Sequence, residues 1–168
     1  MSETDVRVLE TRLRALVDRN IAFRLESVPE GYDACLLGGY AQKSQTDMLF
    51  ILRDDLRMAA TEASLAFFAP EVEVISFPAW DCLPYDRVSP NPEIVARRMT
   101  ALGRITEDGG SPRIILTTLN AITQRVPPVD MVKDSRLNIR VGDKIEASKL
   151  TSYLVANGFS RIGTVMEP

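Results

Sequence analysis

Histidine is absent from the 168 residues of this chain, and its absence excludes several kinds of chemistry at once. Without histidine, the sequence lacks the commonest general base and the commonest metal ligand, and it has no side chain that ordinarily titrates near neutral pH. No Ser-His or Cys-His pair can form, and no pair of carboxylates has a spacing that indicates catalysis. We therefore expect no catalytic residue and no metal site.

Cysteine is nearly as scarce, since Cys35 and Cys82 are the only two and have no Cys-X-X-Cys spacing. This pattern favours two buried, reduced thiols over a zinc site, which would need further ligands. The first ten residues are charged and lack the apolar stretch of a signal peptide, and no apolar run reaches the length of a membrane span. We expect a cytoplasmic protein with no membrane contact.

What the sequence does contain is typical of a folded domain, with 45% apolar and 26% charged residues. The net charge of −3 argues against a general nucleic-acid-binding surface, although a local basic patch stays open. One mid-sized domain, or one domain and part of another, fits this length.

Helical and strand patterns alternate along the first three quarters of the chain, which predicts an α/β fold with a parallel sheet. A composition change at Val126-Pro127-Pro128 predicts a boundary between residues 1–126 and 127–168. The continuous apolar run 48–52 is expected to be a strand buried on both faces. Helices are predicted at 5–19, at 34–42, from Asp54-Asp55 through 68, from the cap Asn91 to about 105, and before Gln124. A last helix is predicted from the cap Ser148 through 156, with Gly158 as the glycine that ends it. Strands are predicted at 23–26, 48–52, 72–75, 114–116, 137–141 and 159–166.

The segment from Phe77 to Arg98 holds the only tryptophan, Trp80, and four of the ten prolines. A loop this long is unusual inside a compact α/β domain, and its prolines exclude a strand or a helix interior. Trp80 and Tyr85 could stack on a nucleic-acid base, but pinning the loop to the core is the favoured interpretation. Arg97-Arg98 could bind phosphate, but a solvated helix face is favoured.

The turn before the 34–42 helix lies where a phosphate-binding loop would lie, after a predicted strand. Such a loop needs a lysine and a hydroxyl after its last glycine, whereas Gly31 is followed by Tyr32 and Asp33. The Asp33 carboxylate would repel a phosphate, so we predict no nucleotide cofactor. Asp54-Asp55 could resemble a metal-binding pair, but acids at a helix N-terminus are the favoured interpretation.

The run FPAWDCLPYDRVSPNPEIVARRMTAL resembles a segment of the bacterial transcription-repair coupling factors. The resemblance continues through ILTTLNAITQRVPP and GFSRIGTVMEP, and it covers roughly residues 20–168. The N-terminal module of that family is itself similar to the excision-repair protein UvrB.

The resemblance implies that residues 1–126 form a degenerate RecA-like ATPase lobe that has lost its nucleotide motif at Gly31, Tyr32 and Asp33. It implies that residues 127–168 are the first, incomplete part of a small α+β domain that binds UvrA. Arg161 corresponds to an arginine of UvrB-type proteins that contacts UvrA. On a strand, Arg161 would share an exposed face with Gly163 and Val165, opposite a core face of Ile162, Thr164 and Met166.

The implied function is a non-catalytic module that recruits UvrA to stalled transcription complexes and restrains the family's ATP-dependent translocase. Members of the family continue into domains that bind RNA polymerase and DNA, so the chain is expected to be a truncated part. Residues 129–168 are expected to be marginal alone. Two alternatives remain: a nucleotide-dependent, UvrB-like repair helicase lobe, and a purely structural lobe that packs on its own chain.

Overall fold

The computed structural model describes residues 8, 11–12, 15–17, 19, 21–44, 46–82, 87, 89–107, 109–137 and 139–162. The chain divides into two compact units, Met1–Val126 and Pro127–Pro168. Near the N-terminus, residues 8, 11, 12 and 15–17 are helical, in agreement with the helix predicted at 5–19 as far as that segment is described.

The first unit is an α/β structure built on a three-stranded parallel sheet, as the alternating patterns predict. The strand order is β1-β3-β2, so β3 lies in the middle. The pairing of β1 with β3 starts at Met48 and Ile114, and that of β2 with β3 starts at Glu73 and Arg113. Its elements in chain order are α1 (Tyr32–Ser44), β1 (Met48–Leu52), α2 (Asp55–Phe68), β2 (Glu73–Phe77), α3 (Pro92–Ile105), β3 (Arg113–Thr118) and α4 (Leu119–Ile122).

Apolar side chains form one core on each side of this sheet. The larger core joins α1 and α2 to the sheet and includes Leu65, Ile114 and Leu116, all fully buried. The smaller core lies under α3 and α4 and includes Ile75 and Phe77. Alternate residues of the central strand β3 point to opposite cores, as the period of two requires.

Helix starts were predicted closely because their capping residues are visible in the sequence. The side chain of Asp54 accepts a hydrogen bond from the backbone N–H of Arg57, and that of Asn91 accepts one from Glu93. Pro92 occupies the first turn of α3, where its missing N–H is not needed. Both helices therefore begin at the predicted places.

Two expectations for the first unit are wrong. Residues 23–26 do not form a strand, and Phe23 and Leu25 are exposed, because no described strand lies beside them to complete the hydrogen bonds. β1 is an edge strand rather than one covered on both faces, and Leu49 and Ile51 are 56% and 45% exposed. Helix α4 contacts β1 but leaves Leu49 and Ile51 exposed.

The described part of the second unit contains two helices, α5 (Val129–Asp134) and α6 (Ala147–Ala156). Gly158 has a positive φ of 88°, and the N–H groups of Gly158 and Phe159 bond to the carbonyls of Val155 and Leu154. This is the Schellman arrangement, so the predicted glycine stop of α6 is confirmed.

Three predictions for the second unit fail over its described residues. Ser148 does not cap α6, because the helix begins one residue earlier, after Glu146. Neither the described part of 137–141 nor residues 159–162 is a strand. The rest of the predicted 159–166 strand, with Gly163, Thr164, Val165 and Met166, lies outside the described residues.

Candidate functional site

The turn before α1 is filled by a side chain of the protein itself. Gly31 adopts a positive φ of 81°, and its carbonyl accepts a hydrogen bond from the N–H of Cys35 at 3.2 Å, which starts the helix. The Asp33 carboxylate accepts a hydrogen bond from the N–H of Ala34 at 3.0 Å. A negative charge thus already lies at the positive end of α1, where a phosphate would have to bind.

Arg57 of α2 neutralises the acids of this turn. Its guanidinium donates to the Asp33 carboxylate at 2.7 Å and to the Glu30 carboxylate at 3.2 Å. A cavity of about 490 Å³ lies here, and the other guanidinium that lines it, from Arg53, pairs with Asp54 at 2.7 Å. Each guanidinium lining the cavity therefore has a carboxylate partner, which makes the cavity a poor site for phosphate.

The Asp54-Asp55 pair has the helix-start role that the sequence favoured. The Asp54 carboxylate accepts a hydrogen bond from the backbone N–H of Arg57 at 2.8 Å and one from the Arg53 side chain. These two bonds, the backbone one first, hold the pKa of Asp54 below its ordinary value. Among the described residues, no group of three or more acids and cysteines is placed to hold a metal ion.

The loop after β2 is fixed on a buried guanidinium. Arg98 of α3 is only 1% exposed, and its guanidinium lies between the rings of Phe77 and Trp80, at 4.2 and 4.4 Å from their centres. The same group donates to the carbonyl of Pro78 at 2.6 Å and to the side-chain oxygen of Gln124 at 3.1 Å. Arg98 thus joins a strand end, the loop, α3 and the segment that follows α4.

This burial corrects the expectation that Arg97 and Arg98 both lie on a solvated helix face. Arg97 is exposed, but Arg98 is enclosed, and burial lowers the pKa of its guanidinium. No carboxylate pairs with Arg98 among the residues that the structure describes, and its Nε atom has no hydrogen-bond partner. A phosphate could not reach this cation, so Arg98 is a structural residue.

Trp80 pins the loop, as the sequence predicts. Besides the ring contact with Arg98, its backbone N–H donates to the side-chain oxygen of Gln124 at 2.9 Å. Further along, the Asp81 carboxylate accepts from the N–H of Asn91 at 3.2 Å, which ties the loop to the start of α3. Tyr85, the other aromatic of the stacking hypothesis, lies outside the described residues.

The sequence pattern of α3 indicates that Arg98 is buried, although arginine is usually an exposed residue type. Arg98 lies at helical spacing from Ala101 and Ile105, which pack in the smaller core. A position on the apolar face of α3, close to two aromatic residues, indicates a guanidinium stacked on rings rather than one in solvent.

Arg161 lies three residues beyond the glycine that ends α6. Its side chain is exposed, and no described residue forms an ion pair with it. It lines a cavity of about 280 Å³ together with Leu154, Val155 and Phe159. Phe159 and Ile162 on either side of it are also largely exposed, so this end of the second unit presents one guanidinium among apolar side chains.

Cys35 and Cys82 do not form a disulfide, but both are half-buried, so the expectation that they are buried is wrong. Within the described part of the chain, no helix combines the length and the apolar character that crossing a membrane requires.

Comparison with known proteins finds several bacterial transcription-repair-coupling factors. The chain is 24% identical over 131 residues to the transcription-repair-coupling factor of Rickettsia bellii, which covers 78% of the chain and 12% of that relative. It is 27% identical over 143 residues to that of Haemophilus influenzae, covering 85% of the chain and 12% of the relative. It is 32% identical over 95 residues to that of Bacillus subtilis, covering 56% of the chain and 8% of the relative.

The chain thus spans about an eighth of the length of the first two of these relatives. No protein-family model matches it.

Proposed function

We propose a recruiting role for this chain, which is a homologue of the bacterial transcription-repair-coupling factors: it binds UvrA without catalysing a reaction itself. The observation that carries the proposal is the exposed guanidinium of Arg161 among exposed apolar side chains at the end of α6. Arginine surrounded by apolar contact area is a frequent anchor of protein interfaces, and its planar group binds a partner carboxylate through two hydrogen bonds.

The turn before α1 supports the non-catalytic part of the proposal. Asp33 occupies the helix terminus that a nucleotide phosphate would need, and Arg57 is already paired with two carboxylates. A UvrB-like helicase lobe, the alternative reading of the sequence, would need a free cation and open N–H groups there.

Restraint of a translocase is the second part of the proposed role. The support for it is the open side of β1, where Leu49 and Ile51 offer an apolar surface to other domains of a longer chain. If this is right, adding the chain to a translocase that lacks its N-terminal region will lower the ATPase rate, and Ile51→Asp will remove the effect. An unchanged rate with the unsubstituted chain would contradict this part alone.

The recruiting role is tested by a pull-down of purified UvrA with the chain and with a version extended to the complete UvrA-binding domain of a relative. We expect both to retain UvrA, the extended version more strongly, since an interface of ordinary size needs many residues around its anchors. If neither retains UvrA, the recruiting role is wrong.

The non-catalytic role is tested separately, by titration of the chain with a fluorescent ATP analogue. We expect no saturable binding at micromolar concentrations of the analogue. Saturable micromolar binding would instead favour the helicase-lobe alternative.

A further inference from the structure

Helix α2 is apolar on the side that faces away from the core as well as on the packed side. Met58, Thr61 and Leu65 are buried. On the opposite side, residues spaced three and four apart are all apolar and exposed, and Leu56 and Phe67 are 82% and 79% exposed. This outer face of α2 consists of Leu56, Ala59, Ala60, Ala63, Ala66 and Phe67. A contiguous exposed apolar face of this kind is typical of a surface that another protein segment covers.

Four of the six residues of the outer face are arranged symmetrically about the middle of the helix. Leu56 and Phe67 are equally far from the point between residues 61 and 62, and so are Ala60 and Ala63. A second α2 running in the opposite direction would therefore place Leu56 of one copy against Phe67 of the other. The alanines would meet at the centre, where small side chains allow two helices to approach closely.

The charges at the two ends of α2 fit the same arrangement. Arg53 precedes the helix with a largely exposed side chain, and the exposed Glu71 follows it, at nearly equal distances from the same midpoint. Among the described residues, Arg53 pairs with Asp54 and Glu71 accepts a hydrogen bond from Gln42, both at the surface. In an antiparallel pair, each Arg53 would lie near Glu71 of the second copy, whereas a parallel pair would bring like charges together.

We propose that two copies of this chain associate through the outer face of α2, as an antiparallel dimer with two-fold symmetry. A symmetric pair of this kind uses the same patch on both copies, which the matched ends of α2 provide. One helix crossing buries less than the roughly 800 Å² per partner of a standard interface, so the dissociation constant should be on the order of 10–100 µM.

Sedimentation equilibrium of the chain over a wide concentration range tests the proposal. We expect a monomer–dimer equilibrium that Phe67→Glu weakens by about tenfold or more, because the substitution places a carboxylate in the apolar contact. The control is Leu119→Glu, which changes another largely exposed apolar residue, on α4, and should alter the dissociation constant by less than about twofold. Circular dichroism checks that each variant is folded.

A charge exchange tests the antiparallel direction. Arg53→Glu and Glu71→Arg should each weaken the dimer, and the double variant should restore it, because the exchanged charges meet again across the two-fold axis. The proposal is wrong if the chain stays monomeric at several hundred micromolar or so, if Phe67→Glu has no more effect than the control, or if the double variant fails to restore association. A monomer that dimerises only after removal of residues 1–20 would show that the N-terminal segment covers this face, and would also overturn it.

Discussion

The guanidinium of Arg98 is buried and contacts the rings of Phe77 and Trp80. A desolvated cation–ring contact contributes about 2 kcal/mol, and a hydrogen bond from a charged group about 1.5–3 kcal/mol. These contacts offset the cost of burial and hold residues 77–80, the start of the loop, in place. The residue that stabilises the loop is therefore on the helix after it, not in the loop itself.

Arg98→Ala should destabilise the first unit by about 3 kcal/mol, because it leaves a cavity and removes the donor to the Pro78 carbonyl. The change can be followed by urea unfolding monitored through the fluorescence of Trp80, the only tryptophan. The control is Arg97→Ala, one residue away and exposed, which should change stability by less than about 0.5 kcal/mol. Equal losses in both variants would contradict a structural role specific to Arg98.

Single residues were predictable from the sequence where their effect is local. The caps Asp54 and Asn91 and the stop at Gly158 act within a few residues, so the local sequence is enough to predict them. The burial of Arg98 depends on neighbours about 20 positions away, at Phe77 and Trp80, which only the folded chain brings together.

Among the secondary-structure elements, α1 and α2 pack together at a point where only glycine fits. A methyl group on Gly38 would lie 2.7 Å from the Cβ atom of Ala69, just after α2. This distance is far shorter than a van der Waals contact, so the two helices would have to separate.

Gly38→Ala should therefore destabilise the chain by about 1–3 kcal/mol, although the same change inside an isolated helix would stabilise it by about 1 kcal/mol. Thermal or urea unfolding measures the difference. Gly110→Ala is the control, because a methyl group there meets nothing within 4 Å. An unfolding midpoint raised by Gly38→Ala would refute the close contact.

Asp47 and Arg113 join the starts of β1 and β3 to the end of α3. The Asp47 carboxylate accepts from the backbone N–H of Arg113 at 3.0 Å and from its guanidinium, which also donates to the carbonyls of Arg104 and Glu107. The hydrogen bond from the Arg113 side chain is the main reason that the pKa of Asp47 lies below its ordinary 3.8.

Because the folded state lowers this pKa, the contribution of Asp47 to stability is complete above pH 3.8 and is lost as the pH falls below that value. We expect Asp47→Asn to be less stable than the unsubstituted chain at neutral pH, and the difference to shrink on acidification. Urea unfolding of both proteins from neutral pH down to about pH 3 tests this. A difference that does not change with pH would rule out the ionised carboxylate as its source.

The elements that sequence patterns predicted wrongly are strands. The runs 23–26 and 137–141 alternate in polarity as strands do, but a strand forms only where a neighbour supplies the second set of hydrogen bonds. The strands β1, β2 and β3 have such neighbours in one another. The alternating pattern alone does not contain that information.

At the scale of the whole molecule, the two units differ in how much they bury. The first has a core on each side of its sheet, whereas Val132 is the only fully buried apolar residue among the described part of the second. The second unit therefore presents much of its apolar surface, including Phe159 and Ile162 beside Arg161. This is the arrangement expected of a segment that completes its contacts by binding a partner.

The assignment of residues 1–126 to a degenerate ATPase lobe and of residues 127–168 to a UvrA-binding domain stays a prediction. The role of Arg161 in binding UvrA also stays a prediction, because Gly163 and Val165, which would share its face, lie outside the described residues. Sequence resemblance identified these regions, and the exposure of Arg161 is compatible with the role proposed for it.

Isothermal titration of UvrA with the chain, with Arg161→Ala and with Arg140→Ala is the most direct measurement of the recruiting role. Arg140 is an exposed arginine of the same unit, so its variant controls for the loss of one positive charge. We predict that the chain binds UvrA, that Arg161→Ala weakens binding by about tenfold or more, and that Arg140→Ala changes it by less than about twofold. Absence of binding by the unsubstituted chain, or equal affinity of all three proteins, would contradict the proposed function.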